Sequence, residues 1–286
     1  MPELPEVETI VRDLAPKVAG RRLQHPTLYK TDVLRGVSRA RLLRTLEGAR
    51  VLALTRRAKH LVFQLEGGWR LVIQPRMTGS LLINRWPLTP EQRRYAVLTA
   101  AISPKRLLVF RDVRRLGTIH LLDERAWVAY TSRIGDEPLD PAFTLERFRA
   151  VLQGSQQAVK KVLMDQRKLA GVGNIYANEA LFRAGVDPSR PSCRVDQSSS
   201  ARLYRAVRAV LNDALTARGT TVRDYRTGTG GAGNFQFSLQ VYGREGEPCV
   251  RCGTALVTTH TIDGRATTFC WRCQGAGEPP PERRGH

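Results

Sequence analysis

The chain of 286 residues is 42% hydrophobic, which is enough apolar material for one large domain or for two ordinary ones with proper cores. Its 46 Lys and Arg residues against 26 Asp and Glu residues give a formal charge of +20, so the surface should attract polyanions, and nucleic acid is the leading partner. An anionic membrane surface is the alternative, but no apolar run is long enough to span a bilayer and no basic helix carries a bulky apolar face.

The first predicted element is a helix, because four apolar residues near the start of the chain recur at the spacing of one helical face. These residues are Val7, Ile10, Val11 and Leu14. From about residue 22 to residue 133 the pattern changes to short β-rich runs separated by Gly, Pro and charged turns. Residues 1–133 are therefore predicted to form a β-sandwich or barrel-like domain that begins with a helix.

The segment 134–142, IGDEPLDPA, combines acidic residues with prolines and is typical of a linker. In residues 143–220 the apolar period is again helical, and a long last helix is predicted to end at Gly219. The Gly- and Thr-rich stretch at 221–238 predicts a flexible loop, and the composition of 276–286 predicts a disordered tail.

The segment 239–275 contains two C-x2-C pairs, CVRC and CWRC, and their four thiolates can close a tetrahedral site with no open position for water. The alternating residues between the pairs predict a β-hairpin with its turn at Asp263 and Gly264, which is the pattern of a zinc ribbon. No apolar signal segment follows Met1, so we expect a cytoplasmic protein with reduced cysteines and one structural zinc ion. The predicted zinc ligands are Cys249, Cys252, Cys270 and Cys273.

The amino terminus offers a candidate nucleophile. Removal of Met1 before the small Pro2 leaves a secondary amine, which is partly neutral at physiological pH and can attack a sugar C1′ to give an iminium. Glu3 and Glu6 are near enough in sequence to act as acid, base or orienting group. Taken alone, the same letters are more typical of an ordinary first helical turn than of a catalytic site.

Four stretches together resemble the formamidopyrimidine-DNA glycosylase family. They are MPELPEVET at 1–9, RRAKHLVF at 56–63, KKVLMDQRKLAGVGNIYANEAL at 160–181, and the cysteine segment from QVYGREGEPCVRCG to TTFCWRCQ. The resemblance implies an α+β multidomain fold, with an N-terminal β-sandwich, a helical helix-two-turn-helix domain and a four-cysteine zinc ribbon. It also implies a bifunctional enzyme that excises 8-oxoguanine and formamidopyrimidines and then cuts the strand.

The resemblance assigns Pro2 the attack on C1′, Glu3 the proton shuttle, and Glu6 the anchoring of the N-terminal segment at the site. It implies that Lys59 binds phosphate at the catalytic end. Three further side chains would fill the void that the flipped base leaves: Met77, Arg114 and Leu116. Two departures occur here, since the family commonly shows His-Leu-Gly-Met where this chain has Gln-Pro-Arg-Met, and Phe where it has Leu116.

The remaining implied DNA contacts are made by Lys160, near the lesion and its phosphates, by Asn174, at the start of a helix, and by Arg265, from the ribbon hairpin. The loop at 221–238 would close over the extruded base. Its GTGGAG letters lack the flanking strand and helix of a dinucleotide site, so no organic cofactor is expected.

The implied partner is damaged double-stranded DNA, bound by a monomer that associates with the nucleoid. Two alternatives stay open from the residues alone. The first is an endonuclease VIII-like enzyme for oxidised pyrimidines, although that branch usually opens with PEGPE and this chain has Leu4. The second is a non-catalytic zinc-ribbon DNA-binding protein, against which the intact Pro2 and Glu3 count.

Overall fold

The structure, a computed structural model, describes residues 2–221 and 225–277. Residues 222–224 of the predicted loop, and the predicted tail from residue 278 onward, lie outside the described residues. The chain forms two compact units. The first unit contains Met1–Arg133 and Ala214–Gln236, and the second contains Ile134–Asp213 and Phe237–His286.

The first unit begins with helix α1 (Leu4–Val18), as the apolar spacing predicts. The Glu6 side chain accepts a hydrogen bond from the backbone N–H of Glu3 (2.8 Å), which satisfies a free donor at the helix start. The apolar stripe of α1 is buried in the main core, where it meets side chains of both sheets, among them Phe63 and Phe110. Burial of this stripe therefore fixes where the N-terminal residues lie in the first unit.

Two four-stranded antiparallel sheets form the sandwich, which confirms the predicted β-sandwich with an N-terminal helix. The first sheet has the order β2 (Val51–Arg57), β3 (His60–Leu65), β4 (Arg70–Gln74) and β8 (Thr118–Leu122). The second has the order β1 (Gln24–Leu28), β6 (Ala96–Ser103), β7 (Arg106–Asp112) and β5 (Gly79–Arg85).

Three short helices interrupt the strands, and the β-rich pattern did not predict them. They are α2 (Arg39–Leu46), α3 (Pro90–Arg94) and α4 (Glu124–Thr131). Each begins after a side chain that accepts a backbone N–H, namely Ser38, Thr89 and Asp123. Each cap satisfies a backbone N–H at the start of its helix. This stabilisation matters because such short helices bury few apolar residues.

The described part of the second unit contains three α-helices, most of a fourth, and a two-stranded hairpin. The helices are α5 (Leu145–Gln153), α6 (Val159–Met164), α7 (Asn174–Ala184) and α8 (Gln197–Thr216). Helix α7 begins at Asn174 as predicted and ends at Gly185 in the left-handed conformation. The hairpin pairs β9 (Val257–Thr259) with β10 (Thr267–Phe269), which confirms the hairpin predicted between the cysteine pairs.

The segment predicted as a linker packs within the second unit. The N–H of Gly135 donates to the carbonyl of Gln166 (2.9 Å), and that of Ala170 donates to Asp136 (2.8 Å). A Cβ on Gly135 would lie 2.4 Å from the carbonyl carbon of Lys168, so only glycine fits this approach. Among the described residues, no helix has the length and apolar character needed to cross a membrane.

Candidate active site and nucleic-acid interface

The predicted nucleophile and acid lie at the start of α1. Pro2 is buried, and Glu3 and Glu6 are 2% and 1% exposed. One carboxylate oxygen of Glu6 accepts the N–H of Glu3, and the other accepts the N–H of Thr220 (2.7 Å). The Glu6 carboxylate thus joins the residue next to Pro2 to the segment that follows α8, within the same unit.

Two further contacts tie that segment to α1. The Arg218 guanidinium donates to both carboxylate oxygens of Asp13 (2.7 and 2.8 Å), and the Tyr225 hydroxyl donates to the carbonyls of Glu6 (3.3 Å) and Arg218 (3.2 Å). Burial and the nearby Glu6 carboxylate raise the pKa of Tyr225, so its phenol stays protonated as a donor. Sequence reasoning missed Asp13, Arg218 and Tyr225, because more than 200 positions separate the partners.

Gly219 stands at a close approach between this segment and α1. Its φ is +85°, and a Cβ there would lie 3.0 Å from Oε1 of Glu6. A side chain at this position would therefore strain the backbone and press on the carboxylate that holds Glu3. Glycine is thus favoured at position 219 for two reasons, its predicted role at the end of a helix and the lack of space for a side chain beside Glu6.

Lys59 lies in the tight turn between β2 and β3, is buried, and follows Ala58, whose φ is +53°. The next residue, His60, places Nδ1 3.0 Å from the Arg57 carbonyl and Nε2 3.0 Å from the Tyr130 hydroxyl. A carbonyl only accepts, so Nδ1 donates to it, and Nε2 is left within hydrogen-bond distance of the Tyr130 hydroxyl. Burial raises the pKa of Tyr130, which keeps its hydroxyl protonated. The contact between His60 and Tyr130 therefore attaches the turn that presents Lys59 to helix α4.

Met77, Arg114 and Leu116 lie together on two adjoining loops, as their shared predicted role requires. A guanidinium nitrogen of Arg114 lies 3.7 Å from the Met77 sulfur, and the Met77 and Leu116 side chains are 46% and 38% exposed. The Arg114 N–H donates to the Thr78 hydroxyl (3.0 Å), which also bonds to Asp112. Exposed apolar side chains on well-anchored loops are suited to entering a base stack.

Lys160, Asn174 and Arg265 meet at the hairpin of the second unit. Lys160 is 0% exposed, and its ammonium contacts the Thr267 hydroxyl (2.7 Å) and Asp263 (3.4 Å). The Asn174 side-chain amide donates to the Ala266 carbonyl (3.0 Å). Lys160 and Asn174 thus support the hairpin turn that carries the exposed Arg265. Whether these residues contact DNA stays a prediction.

Two polar residues of α7, which sequence reasoning did not single out, complete this support. Asn178 accepts the N–H of Thr268 (3.1 Å), and the buried Glu179 accepts three successive backbone N–H groups, those of Gln240, Val241 and Tyr242, at 2.9 to 3.0 Å. A buried carboxylate is stable only when such donors compensate its lost hydration. Helix α7 therefore anchors the cysteine segment at two places, at its first residues and at strand β10.

The four cysteines converge as predicted. Their sulfur atoms all lie within 4.8 Å of one another, with 3.9 Å between Cys249 and Cys273 and 3.5 Å between Cys252 and Cys270. A tetrahedral ion with Zn–S bonds of about 2.3 Å requires sulfurs about 3.8 Å apart, so the cluster can hold such an ion.

Electrostatics at the cluster also favours a cation. Hydrogen bonds with Thr254 lower the pKa of Cys252 to about 6, whereas burial and the neighbouring sulfurs raise the pKa of Cys273 to about 12. A divalent cation among the four sulfurs lowers the raised pKa of Cys273 and stabilises all four thiolates.

Comparison with known proteins gives relatives over nearly the whole chain. A formamidopyrimidine-DNA glycosylase of Thermomicrobium roseum is 42% identical over 292 residues, covering 96% of this chain and 99% of the relative. The crystal structure of the MutM (Fpg) protein of Thermus thermophilus superposes with a TM-score of 0.85 at 40% identity, covering 97% and 100% of the two chains. A complex of the Lactococcus lactis Fpg with DNA that contains an abasic site has a TM-score of 0.88 at 31% identity, covering 95% and 99%.

Two family models match in the order of the chain. Residues 1–119 match the formamidopyrimidine-DNA glycosylase N-terminal domain, and residues 134–226 match the H2TH domain of the same enzymes. With the four-cysteine hairpin, these matches define a DNA glycosylase of the helix-two-turn-helix class. The chain belongs to the formamidopyrimidine-DNA glycosylase family, which confirms the resemblance seen in its motifs.

Proposed function

We propose that this chain removes oxidised purines from duplex DNA through a covalent intermediate on Pro2 and then cleaves the strand. The observation that carries the proposal is the Glu6 carboxylate, which binds the N–H of Glu3 and that of Thr220 and so fixes the N-terminal residues. Relatives support the substrate class, because solved structures of the Lactococcus lactis enzyme contain DNA with an abasic site and DNA with Fapy-dG. These comparisons favour removal of oxidised purines over the endonuclease VIII-like function and over a non-catalytic DNA-binding protein.

The chemistry begins with the secondary amine of Pro2. Its nitrogen attacks C1′, the glycosidic bond breaks with its electron pair on the base, and the base leaves after protonation. The nitrogen then loses its proton, and the C1′–O4′ bond breaks with its electron pair on O4′, which is protonated, so the sugar ring opens and an iminium forms. The iminium withdraws electrons from C2′, so loss of the C2′ proton expels the 3′ phosphate, and a second elimination expels the 5′ phosphate. Glu3, the residue next to the amine, is the proton carrier at the sugar.

The target base must leave the duplex before this amine can reach C1′. Met77, Arg114 and Leu116 are suited to take its place, because they project together from two loops braced by Asp112. The Gly117 N–H donates to the Asp112 carboxylate (2.7 Å), and the Arg114 N–H donates to the Thr78 hydroxyl, which itself bonds to Asp112, so both ends of the Arg114–Leu116 loop are fixed. A wedge that is already ordered loses little entropy when it enters the stack.

Phosphate contacts are proposed for Lys59 in the first unit and for Lys160, Asn174 and Arg265 in the second. Arg265 is exposed and borders a groove of about 280 Å³ whose charged lining is Lys161, Asp165, Arg167, Asp263 and Arg265 itself. Lys160 is proposed to act through the hairpin, since its buried ammonium donates to the Thr267 hydroxyl. Its contribution to DNA binding is thus proposed to include the placement of Arg265.

The metal at the four cysteines is proposed to be zinc in a structural role. Cys249, Cys252, Cys270 and Cys273 would hold it, and four thiolates leave no position for a reactive water. Zinc would stiffen the segment that ends in the hairpin, while the proton transfers take place at Pro2 and Glu3. The protein is further proposed to act as a monomer in the cytoplasm, at the nucleoid.

The proposed specificity is tested by strand cleavage. The wild-type protein is expected to nick a duplex with 8-oxoguanine opposite cytosine faster than a matched duplex with thymine glycol. A reversed preference would move the chain to the endonuclease VIII-like function, and no cleavage of either duplex would leave a DNA-binding protein. Mass spectrometry of the mature protein supplies the companion check, because retained Met1 would place the Pro2 nitrogen in a peptide bond.

A further inference from the structure

The tight turn between β2 and β3 has a strained backbone at Ala58. Arg57 pairs with His60 across the two strands, so the turn consists of Ala58 and Lys59. The φ of Ala58 is +53°, a conformation that costs energy for a residue with a Cβ and that glycine adopts freely. Strained backbone persists only where its surroundings hold it. The conformation that presents Lys59 therefore needs support from outside the turn.

Helix α1 supplies one support. The Arg56 guanidinium donates to the Ala58 carbonyl (3.0 Å) and to the Glu8 carboxylate (3.1 Å). The Arg56 side chain is 13% exposed, so these bonds are partly shielded from water and salt. The turn is thus attached to the helix that follows Pro2 and Glu3.

Helix α4 supplies a second support through the ring of His60. Nδ1 donates to the Arg57 carbonyl (3.0 Å), and Nε2 lies 3.0 Å from the Tyr130 hydroxyl. These contacts use both ring nitrogens, so the ring cannot rotate without losing one of them. The Tyr130 hydroxyl therefore holds the ring that fixes the carbonyl just before Ala58.

Aromatic packing holds the Tyr130 side chain in place. The centre of its ring lies 5.0 Å from that of His120 and 5.6 Å from that of His60, and it stacks with Trp127 at 6.3 Å. The Arg70 guanidinium covers the Trp127 ring at 5.3 Å. Helix α4 buries none of its side chains completely, so the half-buried Tyr130 and Trp127 carry much of its attachment to the sheet.

We propose that Tyr130 is a positioning residue for Lys59 and acts through His60 on the turn. The inference rests on the proposed function, because it takes Lys59 as a ligand of a DNA phosphate. The Tyr130 hydroxyl favours the left-handed conformation of Ala58, and this conformation sets the direction of the Lys59 side chain. Without the hydroxyl, Ala58 relaxes toward common backbone conformations, and the Lys59 ammonium is less often in position to meet the phosphate.

A double-mutant cycle tests the coupling between Tyr130 and Lys59. Tyr130→Phe removes one hydroxyl, Lys59→Met removes the ammonium, and a further protein carries both changes. Tyr204→Phe is the matched control, because the Tyr204 hydroxyl donates to the Phe143 carbonyl (2.7 Å) in the second unit. Fluorescence anisotropy measures affinity for a duplex with a tetrahydrofuran analogue of the abasic site, which has no base to release.

Tyr130→Phe is expected to weaken binding by about two- to tenfold, the effect of one lost hydrogen bond, whereas Tyr204→Phe binds like the wild-type protein. In the Lys59→Met background, Tyr130→Phe should cause no further loss, because no ammonium remains to be positioned. Unchanged affinity of the Tyr130→Phe protein, or an equal loss in both backgrounds, would overturn the proposal. Unchanged affinity of the Lys59→Met protein would overturn it as well.

Glycine at position 58 gives a second test of the same mechanism. Glycine adopts a φ of about +53° without strain, so a turn that carries Ala58→Gly depends less on support from His60. Adding Ala58→Gly to the Tyr130→Phe protein should therefore restore part of the lost affinity. If Tyr130→Phe costs the same affinity with and without Ala58→Gly, the strained turn does not transmit the effect.

The proposed function is judged separately, from cleavage of an 8-oxoguanine duplex. A wild-type protein that binds the tetrahydrofuran duplex but never cleaves the 8-oxoguanine duplex would contradict the proposed chemistry. The affinities of the variants would still decide whether Tyr130 positions Lys59.

Discussion

Glu6 is the residue on which the geometry of the N-terminus most depends. Each of its carboxylate oxygens accepts a backbone N–H, one from Glu3 and one from Thr220. Its place three residues after Glu3 makes the first contact predictable as a capping pattern, whereas no local pattern reveals the second. The predicted anchoring role therefore has two attachments in the structure.

Glu6→Gln should lower the free energy of unfolding by about 1.5–3 kcal/mol, because the neutral amide turns a donor toward one of the two N–H groups. Glu66→Gln is the control, since that carboxylate is half exposed in its pair with Arg22. Urea unfolding of both variants measures the difference. A Glu6→Gln protein as stable as the Glu66→Gln protein would show that the Thr220 contact contributes nothing.

Leu116 stands where the family commonly has an aromatic ring. Leu116→Phe is expected to tighten binding to a lesion duplex by up to about 1–3 kcal/mol, the range for stacking of a base on an aromatic side chain. Val113→Phe is a suitable control, because Val113 is also exposed in the neighbouring part of the loop. Equal affinities for both variants would indicate that residue 116 does not enter the base stack.

At the scale of helices and strands, the elements with a strong periodic pattern could be predicted from the sequence, whereas the short elements could not. The apolar stripe of α1, the start of α7 and the hairpin turn near Gly264 follow from local sequence. Helices α2, α3 and α4 have five to eight residues, too few to show a period, and only their capping residues could have indicated them.

Burial of Lys160 could not be predicted either, because its partners lie more than 100 positions away in the hairpin. Lys160→Met should lower the free energy of unfolding by about 1–3 kcal/mol, since Thr267 and Asp263 lose a buried partner. Lys161→Met removes the adjacent exposed lysine and serves as the control. Amide hydrogen exchange at Thr268 should accelerate in the Lys160→Met protein alone. Equal exchange rates in the two variants would show that Lys160 does not stabilise the hairpin.

The four-cysteine segment is expected to need its metal for DNA binding. Elemental analysis should find one zinc ion for each chain, and chelation should weaken binding to a lesion duplex because the hairpin loses its cross-link. Circular dichroism of the chelated protein should retain the strand signal of the sandwich, which the first unit holds through its own core. Undiminished affinity after complete removal of the metal would contradict this role.

At the scale of the whole molecule, the charge of +20 and the family's motifs predicted a DNA partner. The order of residues in the chain did not predict which segments belong to which unit. The segment Ala214–Gln236 belongs to the first unit, although it follows the helices of the second in sequence. Its contacts with Glu6 and Asp13 show why, since they join polar groups of α1 to residues more than 200 positions away. Only the folded chain shows this attachment.

The central claim is that the Pro2 nitrogen forms the covalent intermediate. Borohydride reduction during reaction with an 8-oxoguanine duplex should trap the protein on DNA, and mass spectrometry of the digested adduct should find the sugar on the peptide that begins with Pro2. Pro2→Gly should give far less adduct. An adduct on a lysine peptide, or undiminished trapping of the Pro2→Gly protein, would contradict the account.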